Sequence, residues 1–254
     1  MCGIQTNALE QLSYTGLDKT GKSVDRLLIG AILGGFYIAI GAWMHVVVSE
    51  MVDPFVGSLC FPAGLLFVSL SGSELLTSNM AYGIYPVFIN DIRKSIRLHS
   101  LSKIIQLLAI SLCGNWFACS CVAYFAFTTG ICENAMLPLL ILKKTSQNAS
   151  LIFMKAIAAN WMVNLAVFQY TCAKEIAHKA LLMWIPIVVF VVLGFEHSVA
   201  NMFFLGVGVF NQNITFALYF HNIVPSLLGN FVGAVSFVFT QCLMHAPTLT
   251  KQVV

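Results

Sequence analysis

Two widely separated segments of the chain carry one pattern, Gly-x-Glu-x-x-x-x-Asn-Met. The first is Gly72-Ser73-Glu74-Leu75-Leu76-Thr77-Ser78-Asn79-Met80, the second Gly194-Phe195-Glu196-His197-Ser198-Val199-Ala200-Asn201-Met202. Both lie deep inside long apolar stretches. A carboxylate at the centre of a membrane helix costs roughly 2.5–3.5 kcal/mol on insertion scales. Two such residues, each flanked by Gly and Asn, point to two related interruptions of membrane helices. Paired interruptions in the two halves of a chain mark the place where a polar solute meets irregular backbone.

Composition sets the same class. Of 254 residues, 59% are apolar and 9% charged, with a mean hydropathy of +0.86. Soluble domains carry about 25% charged residues. The length has room for six or seven spans of about 20 residues. A net charge of +3 is too small to suggest a nucleic-acid partner. Residues 1–26 are polar, with Glu10, Asp18, Lys19, Lys22, Asp25 and Arg26, and no cleavable signal peptide is visible. They read as a cytoplasmic segment, 27–245 as a transmembrane pore domain, and 246–254 as a cytoplasmic tail. The eight cysteines include no Cys-x-x-Cys pair and read as buried structural thiols.

The spans fall near 27–48, 55–90, 104–129, 151–173, 180–210 and 216–243. A straight helix over 55–90 would run roughly 54 Å, against a hydrocarbon core of about 30 Å. It is expected to break at 72–77, and the fifth span at 194–198. With the N-terminus in the cytoplasm, the inner side holds Lys19, Lys22, Arg26, Arg93, Lys94, Arg97, Lys103, Lys174, Lys179 and Lys251, and the outer loops only Lys143 and Lys144. That asymmetry favours six crossings in this orientation, in the cell membrane. The third and sixth spans also match, at Gly114-Asn115-Trp116 and Gly229-Asn230-Phe231. Three spans per half, repeated, place the halves in inverted orientation. The fold class is an all-α membrane protein with a 3+3 inverted repeat and broken second and fifth helices.

Helix breaks leave backbone groups without partners in a medium that offers none. Glu74 and Glu196 read as braces that tie down the opposite loop, in preference to proton carriers, with Asn79 and Asn201 capping or bridging the breaks. His197 is the one histidine near the middle of a span. His99 and His178 fall in loops, His45 and His245 near span ends, and His221 at the start of the sixth span. An imidazole beside a pore can gain a proton or donate a hydrogen bond. Thr77, three residues beyond Glu74, either bonds back to its own helix or reaches an imidazole or a passing anion. Lys155, near the start of the fourth span, either snorkels to the interface or draws anions inward. No P-loop, dinucleotide fingerprint, zinc motif or nucleophile elbow occurs, so neither an enzyme, a cofactor nor a metal is expected.

Several words together resemble the formate/nitrite transporter family over about residues 20–245. They are Gly-Ser-Glu-Leu-Leu-Thr-Ser-Asn (72–79), Phe-Glu-His-Ser-Val-Ala-Asn-Met (195–202), Ala-Asn-Trp-Met-Val-Asn-Leu-Ala (159–166) and Pro-Ser-Leu-Leu-Gly-Asn-Phe-Val-Gly (225–233). The resemblance implies an aquaporin-like fold assembled as a homopentamer, with one pore per protomer. It implies that His197 is the central pore histidine and Thr77 its hydroxyl partner. Phe61 and Leu65 match one apolar constriction; Leu75 and Phe190 match the slit and the other constriction. Lys155 and Asn160 match residues of a vestibule. Leu76, where an aromatic is common, and the lack of a proline after Met202 bear on pore width and substrate.

The expected substrates are small monovalent anions of weak acids: formate, nitrite, hydrosulfide, acetate or lactate. Desolvation between apolar constrictions would raise the anion's proton affinity, so that it accepts a proton near His197 and crosses as neutral acid. Two other classes stand beside this reading, a water or neutral-solute channel and a non-transporting membrane scaffold.

Overall fold

The computed structural model describes residues 2–88, 99–130 and 136–249, which form twelve helices and no strand. Arg93, Lys94, Arg97 and Lys251, counted above for orientation, lie outside the described residues, as does the end of the tail.

Among the described residues, five stretches are long and apolar enough to cross a membrane: α2 (Val24–Met51), the joined α3 (Pro54–Cys60) and α4 (Ala63–Ser71), α7 (His99–Thr128), α9 (Ala149–Cys172), and α12 (Phe216–Leu249). Two shorter apolar helices, α10 (Ile176–Val192) and α11 (Ser198–Phe210), follow one another. The short α5 (Leu76–Tyr82) and α6 (Tyr85–Phe88) follow α4.

The breaks are local in cause. The Asp53 carboxylate caps α3 by accepting from the Phe55 N–H (2.7 Å), with Pro54 in the first turn. Pro62 separates α3 from α4. α4 ends at Gly72, whose φ of 68° is left-handed, and the Ser73 N–H returns to the Val68 carbonyl. The same closure ends α10, with Gly194 at φ 65° and the Phe195 N–H returning to the Phe190 carbonyl. The non-helical residues are 72–75 and 193–197, so the first break is shorter than expected. Thr77 and Ser198 are therefore helical residues of first turns.

Packing repeats in the two halves. α2 lies along α7, and α9 along α12. Gly35 approaches Asn115 so closely that a Cβ would fall 2.6 Å from its Cα, and Gly229 meets the Phe153 carbonyl in the same way.

Two further helices stand outside the expected spans. α1 (Cys2–Gly21) buries Ala8, Leu9 and Leu12 against the bundle, and packs on α9, α12 and α6. Gly16 allows this, because a Cβ there would strike the Tyr82 carbonyl. α8 (Met136–Thr145) occupies the stretch between the third and fourth spans, and His178, expected in a loop, lies within α10.

Candidate functional site

The two breaks meet at one hydrogen bond. His197 caps α11 by accepting the Ala200 N–H at Nδ1 (3.2 Å). A nitrogen that accepts carries no proton, so in the neutral ring the hydrogen sits on Nε2. Nε2 lies 2.9 Å from Thr77 Oγ1. Both side chains are buried. Thr77 Oγ1 accepts from the ring in this tautomer, which leaves the hydroxyl's own proton free for another acceptor.

Each break is held by an asparagine from a neighbouring helix. Asn115 Oδ1 accepts the Leu76 N–H (2.8 Å), and its Nδ2 donates to the carbonyls of Ala31 (2.6 Å) and Glu74 (2.9 Å). Asn230 Oδ1 accepts the Ser198 N–H (2.9 Å), and its Nδ2 donates to the carbonyls of Ala156 (2.8 Å) and Glu196 (3.0 Å). The two sets are equivalent residue for residue: the break's first helical N–H, its glutamate carbonyl, and one carbonyl of the half's first long helix.

The glutamates do not reach the opposite loop, which corrects the expectation. Glu74 Oε2 accepts from Asn79 Nδ2 (2.9 Å) and Lys19 Nζ (2.6 Å), and Oε1 from Lys22 Nζ (2.9 Å). Glu196 Oε2 accepts from Asn201 Nδ2 (2.6 Å) and Lys144 Nζ (2.9 Å), and Oε1 from Gln147 Nε2 (3.0 Å). Each carboxylate thus bonds within its own break and to a lysine from another helix, α1 or α8, with Lys22 as a second cation on Glu74. The reason is electrostatic: a buried carboxylate needs a counter-charge, and two backbone loops offer none. Asn79 also donates to Ser111 Oγ (2.8 Å), and Asn201 to Asn222 Oδ1 (2.8 Å). Burial pulls the Lys19 ammonium below the usual lysine range, with Glu74 acting in the opposite sense.

The aromatic residues fall in a different grouping from the expected one. Phe61 and Phe190 pack edge to face at 5.4 Å between centroids, and Phe190 lies 5.9 Å from the His197 ring. They form one apolar level rather than two. Leu65 is buried one turn along from Phe61. Leu75 lines a separate cavity of about 140 Å³ on the α1 side, with Lys19, Asn79, Tyr82 and Met183. On the other side of the pair, Phe61, Phe190, Phe204 and Lys144 line a space of about 50 Å³.

Lys155 and Asn160 are both engaged in hydrogen bonds. Lys155 Nζ donates to Gln147 Oε1 (2.6 Å), and so is linked through Gln147 to Glu196. Asn160 is fully buried and donates to the carbonyls of Thr77 (3.2 Å) and Asn230 (2.7 Å), joining α9 to α5 and α12. The residues that sequence reasoning did not assign are Lys19, Lys22, Lys144, Gln147 and the two bracing asparagines. The matched Gly-Asn words were the available signal for Asn115 and Asn230.

The sequence profile described as formate/nitrite transporter matches residues 6–244. The probable formate transporter of Methanothermobacter thermautotrophicus is 35% identical over 243 residues, covering 84% of this chain and 86% of its own length. The formate channel BtFdhC of Bacillus thuringiensis is 30% identical over 240 residues, covering 90% of each chain. Among solved structures, an ion channel of the FNT family superposes with a TM-score of 0.80 at 22% identity, over 92% of this chain and 96% of that one. A pentameric formate channel with formate bound gives 0.73 at 21% identity, over 85% and 95%.

Proposed function

This chain belongs to the formate/nitrite transporter family, whose members are described as transporters and channels rather than enzymes, and we propose that it conducts small weak-acid monovalent anions across a membrane together with a proton. Formate leads the candidates, with nitrite, acetate, lactate and hydrosulfide beside it. The observation that supports this reading is the buried 2.9 Å contact between His197 Nε2 and Thr77 Oγ1, with the His197 ring beside Phe190 of the Phe61–Phe190 pair.

The topology that fits is six crossings with both termini in the cytoplasm. In it, α3–α4 with α5–α6 make the second crossing and α10 with α11 the fifth. The duplicated Asn115 and Asn230 contacts suit two halves of inverted orientation around one pore per protomer. Homopentameric assembly in a lipid bilayer follows the pentameric formate channel of the same fold.

In the proposed mechanism the anion loses its water at the phenylalanine pair, where low dielectric disfavours its charge. It meets the free hydroxyl proton of Thr77, itself held by the His197 N–H. A proton arriving through water joins the anion there, and the neutral acid passes the second apolar level at Leu75. Apolar walls oppose the charged form on either side, so movement is linked to protons.

A pH-jump uptake assay in proteoliposomes, run across the five anions, tests the reading. His197→Ala, which frees Thr77 from the ring, is expected to slow uptake and alter its dependence on the proton gradient. Thr77→Val, which keeps shape and removes the hydroxyl, is expected to slow uptake about tenfold, the worth of one hydrogen bond to a charged group. Unaltered uptake and pH dependence in His197→Ala removes the histidine from the mechanism. Swelling with glycerol or urea and no weak-acid flux would favour a neutral-solute channel.

A further inference from the structure

The α8 side of the Phe61–Phe190 pair carries polar groups that the mechanism above does not use. His45, on α2, packs edge to face on Phe61 (6.4 Å between centroids) and on Phe204 (6.5 Å). With Phe61–Phe190 at 5.4 Å and Phe190–His197 at 5.9 Å, four rings run in file from one imidazole to the other. His45 lines both the space of about 50 Å³ above the pair and a larger cavity of about 370 Å³ that shares Leu140, Val191 and Gly194 with it. Since a water molecule takes about 30 Å³ of liquid, the larger cavity has room for a small hydrated anion.

His45 Nδ1 and Ser49 Oγ are both buried and have no hydrogen-bond partner. They stand one turn apart on the same face of α2, and both residues line the larger cavity. Buried polar groups in native proteins are paired with protein, water or ligand, so two orphans on one wall imply an occupant. Lys143 supplies charge to the same cavity: its Nζ lies 3.7 Å from where a Cβ on Gly194 would sit, and it forms no ion pair among the described residues. The neighbouring Lys144 is engaged by Glu196. Among the described residues no aspartate or glutamate lines either space, which favours an anion as occupant. The remaining polar neighbour of the His45 ring is the Gly57 backbone.

We infer that His45, Ser49 and Lys143 form a second anion-holding site, where a small monovalent carboxylate rests outside the phenylalanine pair before it is stripped of water. This rests on the transport reading. Ser49 donates through its hydroxyl and Lys143 contributes the opposite charge, while His45, whose N–H is turned to the Gly57 backbone, offers Nδ1 as an acceptor for a water bound to the anion. The site sets how readily the pore fills from the α8 side; His197 and Thr77 act on the far side of the gate.

The test is the concentration dependence of formate flux from the α8 side, in proteoliposomes of determined orientation. His45→Phe keeps the ring file and removes both nitrogens. It is expected to raise the half-saturating concentration about tenfold and leave the maximal flux in place. Ser49→Ala and Lys143→Gln, which disturb less packing, are expected to shift it about threefold each, and His45→Asn, which keeps an acceptor beside a donor, to restore most of the affinity. Half-saturation unchanged in all four variants overturns the site, as does a fall in maximal flux alone, the mark of a purely structural role. Wild-type protein that carries no formate or other weak acid overturns the transport reading and this site with it; wild-type flux with unaltered variants overturns only the site.

Discussion

Replacing Asn230 by leucine would test the bracing of the second break directly. The two side chains are of similar size, and Asn230 is fully buried. The change removes three hydrogen bonds at once, leaving the Ser198 N–H and the carbonyls of Ala156 and Glu196 without partners. An orphaned buried polar group costs about 1–3 kcal/mol, and hydrogen bonds measured within bilayers reach about 1.7 kcal/mol. Three at about 1–1.7 kcal/mol each put the loss at about 3–5 kcal/mol, comparable with the whole stability of many domains. Asn230→Asp is expected to lose a similar amount, because it keeps the acceptor for Ser198 but turns oxygen lone pairs towards the two carbonyls. Since Asn115 makes the same three contacts in the other half, Asn115→Leu is expected to match Asn230→Leu. The assay is the thermal midpoint of the detergent-purified protein, followed by gel filtration, with weak-acid uptake measured in parallel. An unchanged midpoint and unchanged uptake in either leucine variant refutes the bracing role, and a large effect at one asparagine alone refutes their equivalence.

Two further outcomes follow from the breaks. Lys144→Met strips Glu196 of its counter-charge, a loss of about 3–5 kcal/mol, and adding Glu196→Gln is expected to recover most of it; a double variant less stable than Lys144→Met alone would contradict the pairing. Gly72→Ala and Gly194→Ala each force a Cβ into a left-handed φ of 68° or 65°. Each is expected to lower stability by about 1–2 kcal/mol in the same melting assay, even though Gly72 has open space around it.

The breaks were legible because their chemistry is local. A glycine that ends a helix, a glutamate and an asparagine five residues later all fall within one short word, and each does its work there. The lysines that neutralise those glutamates were not legible. Lys19 stands in a polar segment and Lys144 directly beside another lysine, and nothing in the sequence tells which of Lys143 and Lys144 turns inward. That choice depends on the rotational phase of α8 against α11 and α12. The grouping of Phe61 with Phe190 was hidden for a similar reason: it is set by how α10 lies against α3 and α4, a long-range contact with no local trace.

Lys19 precedes Glu74 by 55 residues and Lys144 precedes Glu196 by 52. In both halves, therefore, the positive partner has left the ribosome before its acid enters the lipid. Neither acid must wait for later synthesis to be neutralised during biogenesis. A nascent chain shorn of α1 would bring Glu74 to the translocon with Lys22 but without Lys19, so trimming the N-terminus bears on insertion.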